Sequence, residues 1–134
     1  NDSSVTWDGT KINGATTVGA NLGYSVVGDL EKLGIPVRVA RTTKQNLDML
    51  LKGRHQAYAA QDGTIDPVIA YYEKYRNIKK IGPPIKTKEY YFMFSHQYYE
   101  KNSAMAHRIW NKIEEVRESV ISDYKKMNFK PVIE

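Results

Sequence analysis

The sequence lacks features that define several classes of protein. It contains no cysteine, which excludes a disulfide framework, a thiolate metal site and a cysteine nucleophile. Packing alone must therefore hold the fold, and the absence of cysteine suits either side of a membrane. The 134 residues include no run of about 18 or more apolar residues, so the sequence predicts no membrane-spanning helix.

Histidine is scarce, and its pattern argues against a metal site. His55, His96 and His107 are the only imidazoles, and no two have the three- or four-residue spacing that presents zinc ligands on one helix face. Ser95 precedes His96, but no G-x-S-x-G motif surrounds this serine, as an α/β-hydrolase nucleophile requires. The sequence thus predicts no metal, no cofactor and no catalytic residue, and we expect the protein not to be an enzyme.

Positively charged residues are in modest excess. The chain has 20 Lys and Arg against 15 Asp and Glu, which gives a net charge of +5. Its ten tyrosines and its basic residues could stack on and attract nucleic acid, but the basic residues are dispersed and no RNP-like strand motif occurs. We therefore expect no nucleic-acid partner.

From Thr16 onward, short β-branched runs alternate with helical patterns, which is typical of α/β proteins with a mainly parallel sheet. The predicted strands are 16–21, 36–40, 55–60 and 78–81. The predicted helices cover 26–33, a segment with the apolar stripe Leu47, Leu50 and Leu51, and 66–75. Helix starts are predicted at Ser25, at Thr42 or Thr43, and at Asp66 with Pro67 in the first helical position, and left-handed helix stops at Gly34 and Gly53.

The C-terminal part of the chain follows a break at Gly82-Pro83-Pro84. Tyr90–Ser95 is the most strand-like run, and its aromatic, unbroken character predicts burial on both faces. A long amphipathic helix follows and is not expected beyond Met127. Its apolar stripe comprises Ala106, Ile109, Trp110, Ile113, Val116 and Val120.

The segment from Gly19 to Ser25 joins a predicted strand to a helix start. Backbone N–H groups and the positive end of the helix dipole favour an anion there. Because the lysine of a phosphate-binding P-loop is absent, a carboxylate or small anion fits better than a nucleotide. A structural interpretation, with Gly23 as a turn residue and Ser25 as a cap, agrees with the spacing equally well.

The order of these motifs resembles the bacterial extracellular solute-binding proteins of the amino-acid type, which have the type II periplasmic-binding fold. The resemblance runs from Trp7 to about Phe129 and rests on Gly14–Ser25, Leu47–Ala57, Ile81–Pro84, Tyr90–Ser95 and Ala106–Ser119. It implies an α/β, mainly parallel three-layer lobe with C-terminal amphipathic helices. The implied divisions are an N-terminal extension with part of the hinge (1–15), the second lobe (16–82), a hinge (83–89), and a returning strand with C-terminal helices (90–134).

In that family two lobes close over a small solute, which is bound without being transformed and delivered to a membrane transporter. Related domains are the sensory parts of membrane receptors. The resemblance therefore implies a periplasmic or extracellular protein that binds an amino acid-like solute or a small carboxylate, with a transporter permease or a receptor as partner. A structural or interaction domain that has lost ligand binding is the alternative.

The same resemblance assigns ligand-binding residues. It places Gly23, Tyr24 and Ser25 at the ligand carboxylate. The aspartate that holds the ligand's ammonium in the family corresponds to Gln61, with Asp62 next in sequence. Gln56 likewise stands where the family usually has aspartate. A neutral glutamine cannot supply the charge-assisted hydrogen bond that an ammonium prefers, so the ligand class stays open.

The family's first lobe would precede Trp7. The start at Asn1 rather than Met, together with the resemblance, predicts a truncated or processed chain. In the family, the face formed by Ile109, Trp110, Ile113 and Val116 docks on that first lobe. We expect this face to fold back onto the sheet of 16–81 or to pack against a second chain, as in a homodimer that exchanges Tyr90–Phe129 about residues 82–84.

Overall fold

The computed structural model describes residues 5–127, 130, 131 and 133. The chain divides into two compact units. The first comprises the described residues up to Lys86 together with Lys130, Pro131 and Ile133, and the second is Thr87–Phe129, whose last two residues lie outside the described ones. The described residues form a mixed α/β structure with a three-stranded parallel sheet and four α-helices, as the sequence predicts.

The first unit opens with a small antiparallel hairpin and continues as alternating strands and helices. Its elements are β1 (Thr6–Trp7), β2 (Ile12–Asn13), β3 (Val18–Asn21), α1 (Val26–Lys32), β4 (Val37–Ala40), α2 (Thr43–Leu51), β5 (Ala57–Ala59), α3 (Asp62–Tyr71) and a 3-10 helix (Glu73–Tyr75). Strands β3, β4 and β5 form the parallel sheet in the order β4-β3-β5. Val18 of the central strand is in register with Val37 and Ala57.

The second unit contains the helix α4 (His96–Lys126). Asn102 has non-helical backbone angles, φ −137° and ψ 33°, so a kink separates the first turns of α4 from the remainder. The end at Lys126 confirms that the helix does not continue beyond Met127.

Several predicted helix ends are confirmed. Gly34 and Gly53 follow α1 and α2 with φ of +71° and +66°, the left-handed region that favours glycine. Thr42 caps α2, and its hydroxyl accepts a hydrogen bond of 3.1 Å from the Gln45 N–H. Ser25 occupies the N-cap position of α1, but its side chain makes no capping hydrogen bond.

The predicted start of the third helix at Asp66 is wrong. The carbonyl of Gln61 accepts hydrogen bonds from the N–H groups of Thr64 and Ile65, so the first turn of α3 closes one turn earlier. Pro67 therefore lies inside the helix, and α3 ends at Tyr71 rather than near Tyr75.

Two predicted strands are absent from the described part of the chain. At 78–81, the Ile78 N–H instead donates to the Tyr75 carbonyl in a turn. Tyr90–Ser95 forms no strand either, and Tyr90 and Met93 are 75% and 85% exposed, so the expected burial on both faces is wrong. A strand needs a neighbour for its backbone hydrogen bonds, and none of the described segments pairs with these two runs.

Helices α1 and α2 cover opposite faces of the sheet. On one face, Val18 and Ala59 pack with Leu30 of α1, and the hairpin adds the buried Trp7. The residues that alternate with these along the strands, among them Tyr58, face α2. Three layers result in this unit: helix, sheet and helix.

A second buried cluster joins α2 to α3 and the 3-10 helix. It contains Leu47, Ile65, Val68 and Tyr75, and Ile133 packs against it. The Tyr72 hydroxyl also donates to the carbonyl of Pro131 over 3.1 Å. Leu51, which was predicted in the apolar stripe, is 48% exposed. The buried side of α2 is formed instead by Thr43, Asn46 and Leu47.

Gly19 allows α2 and the residues before β5 to approach the central strand closely. A Cβ placed on Gly19 would lie 2.6 Å from both Cε1 and Nε2 of His55, and 3.0 Å from Oδ1 of Asn46. Both neighbours are fully buried. The sheet can pack against these polar side chains only if this position carries no side chain.

We predict that Gly19→Ala destabilises the fold by about 1–3 kcal/mol, because the added methyl group must displace the buried ring of His55. Urea unfolding followed by circular dichroism measures the change. Gly28→Ala in α1 is the matched control, since nothing lies within 4 Å of its added Cβ. That control should gain up to about 1 kcal/mol from helix propensity. Equal midpoints for Gly19→Ala and the unaltered chain would contradict the close contact.

Candidate functional site

The residues predicted to bind a ligand carboxylate lie in the loop that follows β3. Gly23 adopts φ +80°, and the Tyr24 N–H donates to the carbonyl of Asn21, which turns the chain immediately after the strand. Gly23, Tyr24 and Ser25 are all exposed. The turn therefore presents these three residues to solvent at the carboxyl end of the central strand.

The two residues predicted to bind the ligand's ammonium follow β5. Gln61 precedes α3, and Asp62 is its first residue. Because β5 is parallel to β3 and pairs with it directly, both groups of predicted residues lie at the same edge of the sheet. In the order β4-β3-β5, the connection from β3 leaves to one side and the connection from β4 crosses to the other. Ligands of open α/β sheets bind beside such a switch in strand order.

An ammonium group already occupies the acidic part of this edge. Lys80 Nζ lies 2.8 Å from Asp62 Oδ1 and 3.3 Å from Asp66 Oδ2. All three side chains are more than half exposed. The hydrogen bond with Asp62 is the main cause that raises the pKa of Lys80. Asp66, predicted as a helix cap, thus acts instead as part of a carboxylate pair that holds an ammonium.

The start of α1 is less favourable to an anion than the sequence suggests. This helix has seven residues, and Asp29 lies in its first turn. A carboxylate in that position already places negative charge at the positive end of the helix dipole. A ligand carboxylate at Ser25 would therefore bind against the charge of Asp29.

A buried polar network fixes the end of the central strand beneath the edge. Asn21 Oδ1 accepts hydrogen bonds from Asn46 Nδ2 (2.7 Å) and from the Tyr58 hydroxyl (2.8 Å). Its Nδ2 donates to the Thr43 hydroxyl over 3.2 Å. Burial raises the pKa of Tyr58, which keeps this hydroxyl protonated as a donor. The network links β3, α2 and β5 at the point where the ligand loop begins.

His55 adjoins this network without joining it. The ring is fully buried, and neither of its nitrogens, nor Asn46 Oδ1, has a hydrogen-bond partner among residues the structure describes. Burial lowers the pKa of His55, and the positive charge of Arg38 lowers it further. The imidazole is therefore neutral in the folded protein at pH 7.

The residues predicted as an interface lie on α4 in the second unit. Ile109, Trp110 and Val116 are partly buried, and Ile113 is 38% exposed. Aromatic side chains of the same unit cover Trp110: its ring contacts those of Phe94, Tyr99 and His107. Its Nε1 also donates to the Phe92 carbonyl. The aromatic run that precedes α4 thus packs on part of the stripe for which the sequence predicts docking on the sheet of 16–81 or on a second chain.

The other sequence features give no further site. His96 lies 3.3 Å from Glu100, and the Tyr99 hydroxyl is 3.0 Å from His107 Nε2. Across residues 5–127, 130, 131 and 133, no cluster of three His, Asp or Glu side chains is arranged to hold a metal ion. Within the same residues, no helix has the length and apolar character that crossing a membrane requires.

Sequence reasoning missed the buried network and the ion pairs of Lys80. One signal for the network was present: Asn46 falls on the same face of α2 as Leu47, where an apolar residue is expected. A polar residue there needs a buried partner, and Asn21 ends the neighbouring strand. No local pattern indicates Lys80, because 14 residues separate it from Asp66.

The chain matches no family model, no curated protein and no solved structure. Membership of the solute-binding family therefore stays a prediction that rests on the order of the sequence motifs.

We predict that the free energy of unfolding falls between pH 7 and pH 5 because of His55, by at most about 2 kcal/mol. The folded state lowers the pKa of His55, whereas the unfolded chain keeps a value near 6.5. The unfolded state therefore binds more protons as the pH falls, and stability is lost on the acid side. Urea unfolding across this range measures the loss.

His55→Gln should remove most of this pH dependence, and His96→Gln is the control because its imidazole is 86% exposed. The pKa of Asp48 is lowered by the lysines around it. Its contribution to the free energy of unfolding is therefore lost only at a pH below this range, and it does not affect the measurement on His55. An unchanged slope in His55→Gln would contradict the prediction.

Proposed function

We propose that the first unit binds a small amino acid-like solute or carboxylate, without transforming it, at the carboxyl edge of its sheet. The setting we propose is a solute-binding component of a membrane transporter, or a sensory domain of a membrane receptor, in the periplasm or outside the cell. The fold we propose is one lobe of the type II periplasmic-binding type. The observation that carries the proposal is the ammonium of Lys80 held by Asp62 and Asp66 at that edge.

The ion pairs support the ligand class, because a solute's ammonium group would form the same contacts with Asp62 and Asp66. Asp62 and Asp66 lie one turn apart on α3, so both can hydrogen-bond one ammonium, as they do with Lys80. An amino group of a solute offers the same charge and the same donors as the lysine side chain. A solute amine would therefore bind by displacing Lys80.

The turn at residues 23–25 supports recognition of a carboxylate group on the same solute. Gly23 carries no side chain, and a Cβ built on it would meet nothing within 4 Å. The backbone of residues 23–25 is exposed, and it follows the strand that pairs with β5. The Gly23 N–H is a suitable donor to a carboxylate, whereas the Tyr24 N–H already donates to the Asn21 carbonyl. An α-amino acid between the two groups would use both.

The alternative function is an interaction domain that has lost its ligand, and the same ion pairs favour it. An ammonium supplied by the chain itself satisfies the carboxylates without any solute. In that case Lys80 closes the edge as a permanent structural contact. The two functions differ in what happens when Lys80 is removed.

We predict that Lys80→Met strengthens binding of an amino acid a few-fold, because the solute no longer competes with an internal ammonium. Titration calorimetry at low salt, with the common amino acids, acetate and pyruvate as probes, measures the affinities. Asp62→Asn should weaken binding of the amine-bearing probes about tenfold by removing the charge from the hydrogen bond.

Asp123→Asn is the matched control for Asp62→Asn. Asp123 is also exposed and paired with a lysine, Lys126, but lies on α4. It should leave the affinity unchanged. Heat from no probe, in either the unaltered chain or Lys80→Met, would overturn solute binding and leave the interaction domain as the function.

A further inference from the structure

A second candidate site, an open groove lined mainly by polar and charged residues, lies on the outer side of α2, away from the edge described above. It has a volume of about 340 Å³ and is lined by Gln45, Asp48, Met49, Lys52 and Arg54. The C-terminal end of α2 leads into β5, so the groove lies toward the amino edge of the parallel sheet. The proposed solute residues follow the opposite, carboxyl ends of the strands.

The carboxylate in the groove is fully engaged. Asp48 accepts hydrogen bonds from Lys44 Nζ (2.9 Å), Lys74 Nζ (3.0 Å) and the Tyr75 hydroxyl (2.8 Å). The contact with Lys44, followed by those with Lys74 and Tyr75, holds the pKa of this carboxyl well below its usual range. Its two lysine partners more than balance its charge, so Asp48 gives the groove no net negative field.

The cations that line the groove are not engaged. The side chains of Lys52 and Arg54 form no ion pair or hydrogen bond with any residue the structure describes, and both are exposed. Gln45 accepts a hydrogen bond from the Arg41 N–H through Oε1, which leaves its amide nitrogen available as a donor. With Lys44 and Lys74 at its margin, the groove combines four cations with one carboxylate.

The backbone holds the two free cations in a defined turn. The N–H groups of Lys52, Gly53 and Arg54 donate to the carbonyls of Asp48, Leu50 and Met49. These bonds satisfy three carbonyls in the last turn of α2, but the negative end of the helix dipole remains, so binding of an anion depends on the charges of Lys52 and Arg54. The left-handed conformation of Gly53, φ +66°, places a sharp turn between Lys52 and Arg54.

We propose that this groove binds a small anion with at least two negative charges, such as a diphosphate or a dicarboxylate. The planar guanidinium of Arg54 can donate two parallel hydrogen bonds to one phosphate or carboxylate group. Lys52 supplies charge for the second group, and the Gln45 amide donates a neutral hydrogen bond. The thioether of Met49 offers an apolar contact for a short carbon chain.

Titration calorimetry with inorganic pyrophosphate and with succinate, at low salt, tests the proposal. Binding of at least one probe is expected, and Arg54→Gln should weaken it about tenfold or more. Lys52→Gln should weaken it to a smaller extent. Both residues are exposed, so neither variant is expected to unfold. The relative affinities of the two probes distinguish a phosphate ligand from a carboxylate ligand.

Arg108→Gln is the matched control, since Arg108 is an exposed arginine on α4 and its loss changes the net charge equally. It should retain the affinity of the unaltered chain. An equal loss of affinity in Arg108→Gln and Arg54→Gln would show that the effect comes from net charge alone, and it would overturn the proposed site. Heat from neither probe, or full affinity in Arg54→Gln, would overturn it as well.

Discussion

The close contact between the sheet and α2 depends on one missing side chain, that of Gly19 on the central strand. His55 and Asn46 fill the space that a Cβ would take, and both are completely buried. Because α2 approaches so closely there, Asn46 reaches Asn21, two residues further along the strand on the same face. The polar network at the end of β3 follows from that approach, and the turn with Gly23 begins where the network ends.

This arrangement combines a rigid base with an exposed edge. The network beneath the edge is buried and its hydrogen bonds are 2.7–3.2 Å long, whereas Gln61, Asp62 and Lys80 above it are in solvent. A buried, connected network resists displacement, while exposed ion pairs exchange readily with other ions. The sheet therefore holds the positions of the two loops, and the exposed charges are left free to change partners.

The sequence predicts the local elements of the first unit well, because their signals are local. The β-branched run before Asn21, the threonine cap at Thr42 and the glycine stops at Gly34 and Gly53 each act within one or two turns. The same local reasoning fails at Tyr90–Ser95. Strand formation there depends on a neighbour elsewhere in the chain, and high β-propensity cannot supply one.

The candidate site is predictable from the sequence only in part. Strand order decides whether Ser25 and Asp62 share an edge, and in the sequence these residues are grouped only by the resemblance to the solute-binding family. The partner of Asp62 was not predictable, since Lys80 lies in the segment 78–81, which the sequence predicts as a strand and which is irregular in the structure. Pro67 misled in a similar way: it is common at helix starts, yet the backbone bonds to Gln61 set the start of α3 earlier.

The contacts of Pro131 and Ile133 make the first unit discontinuous along the chain. Its core contains residues from both sides of Thr87–Phe129, so the second unit is an insertion rather than an appended tail. A chain cut after Lys86 would lose the apolar contact of Ile133 and the hydrogen-bond acceptor of Tyr72. Lys130, Pro131 and Ile133, which follow α4 in the sequence, thus belong to the folding unit that carries both proposed binding sites.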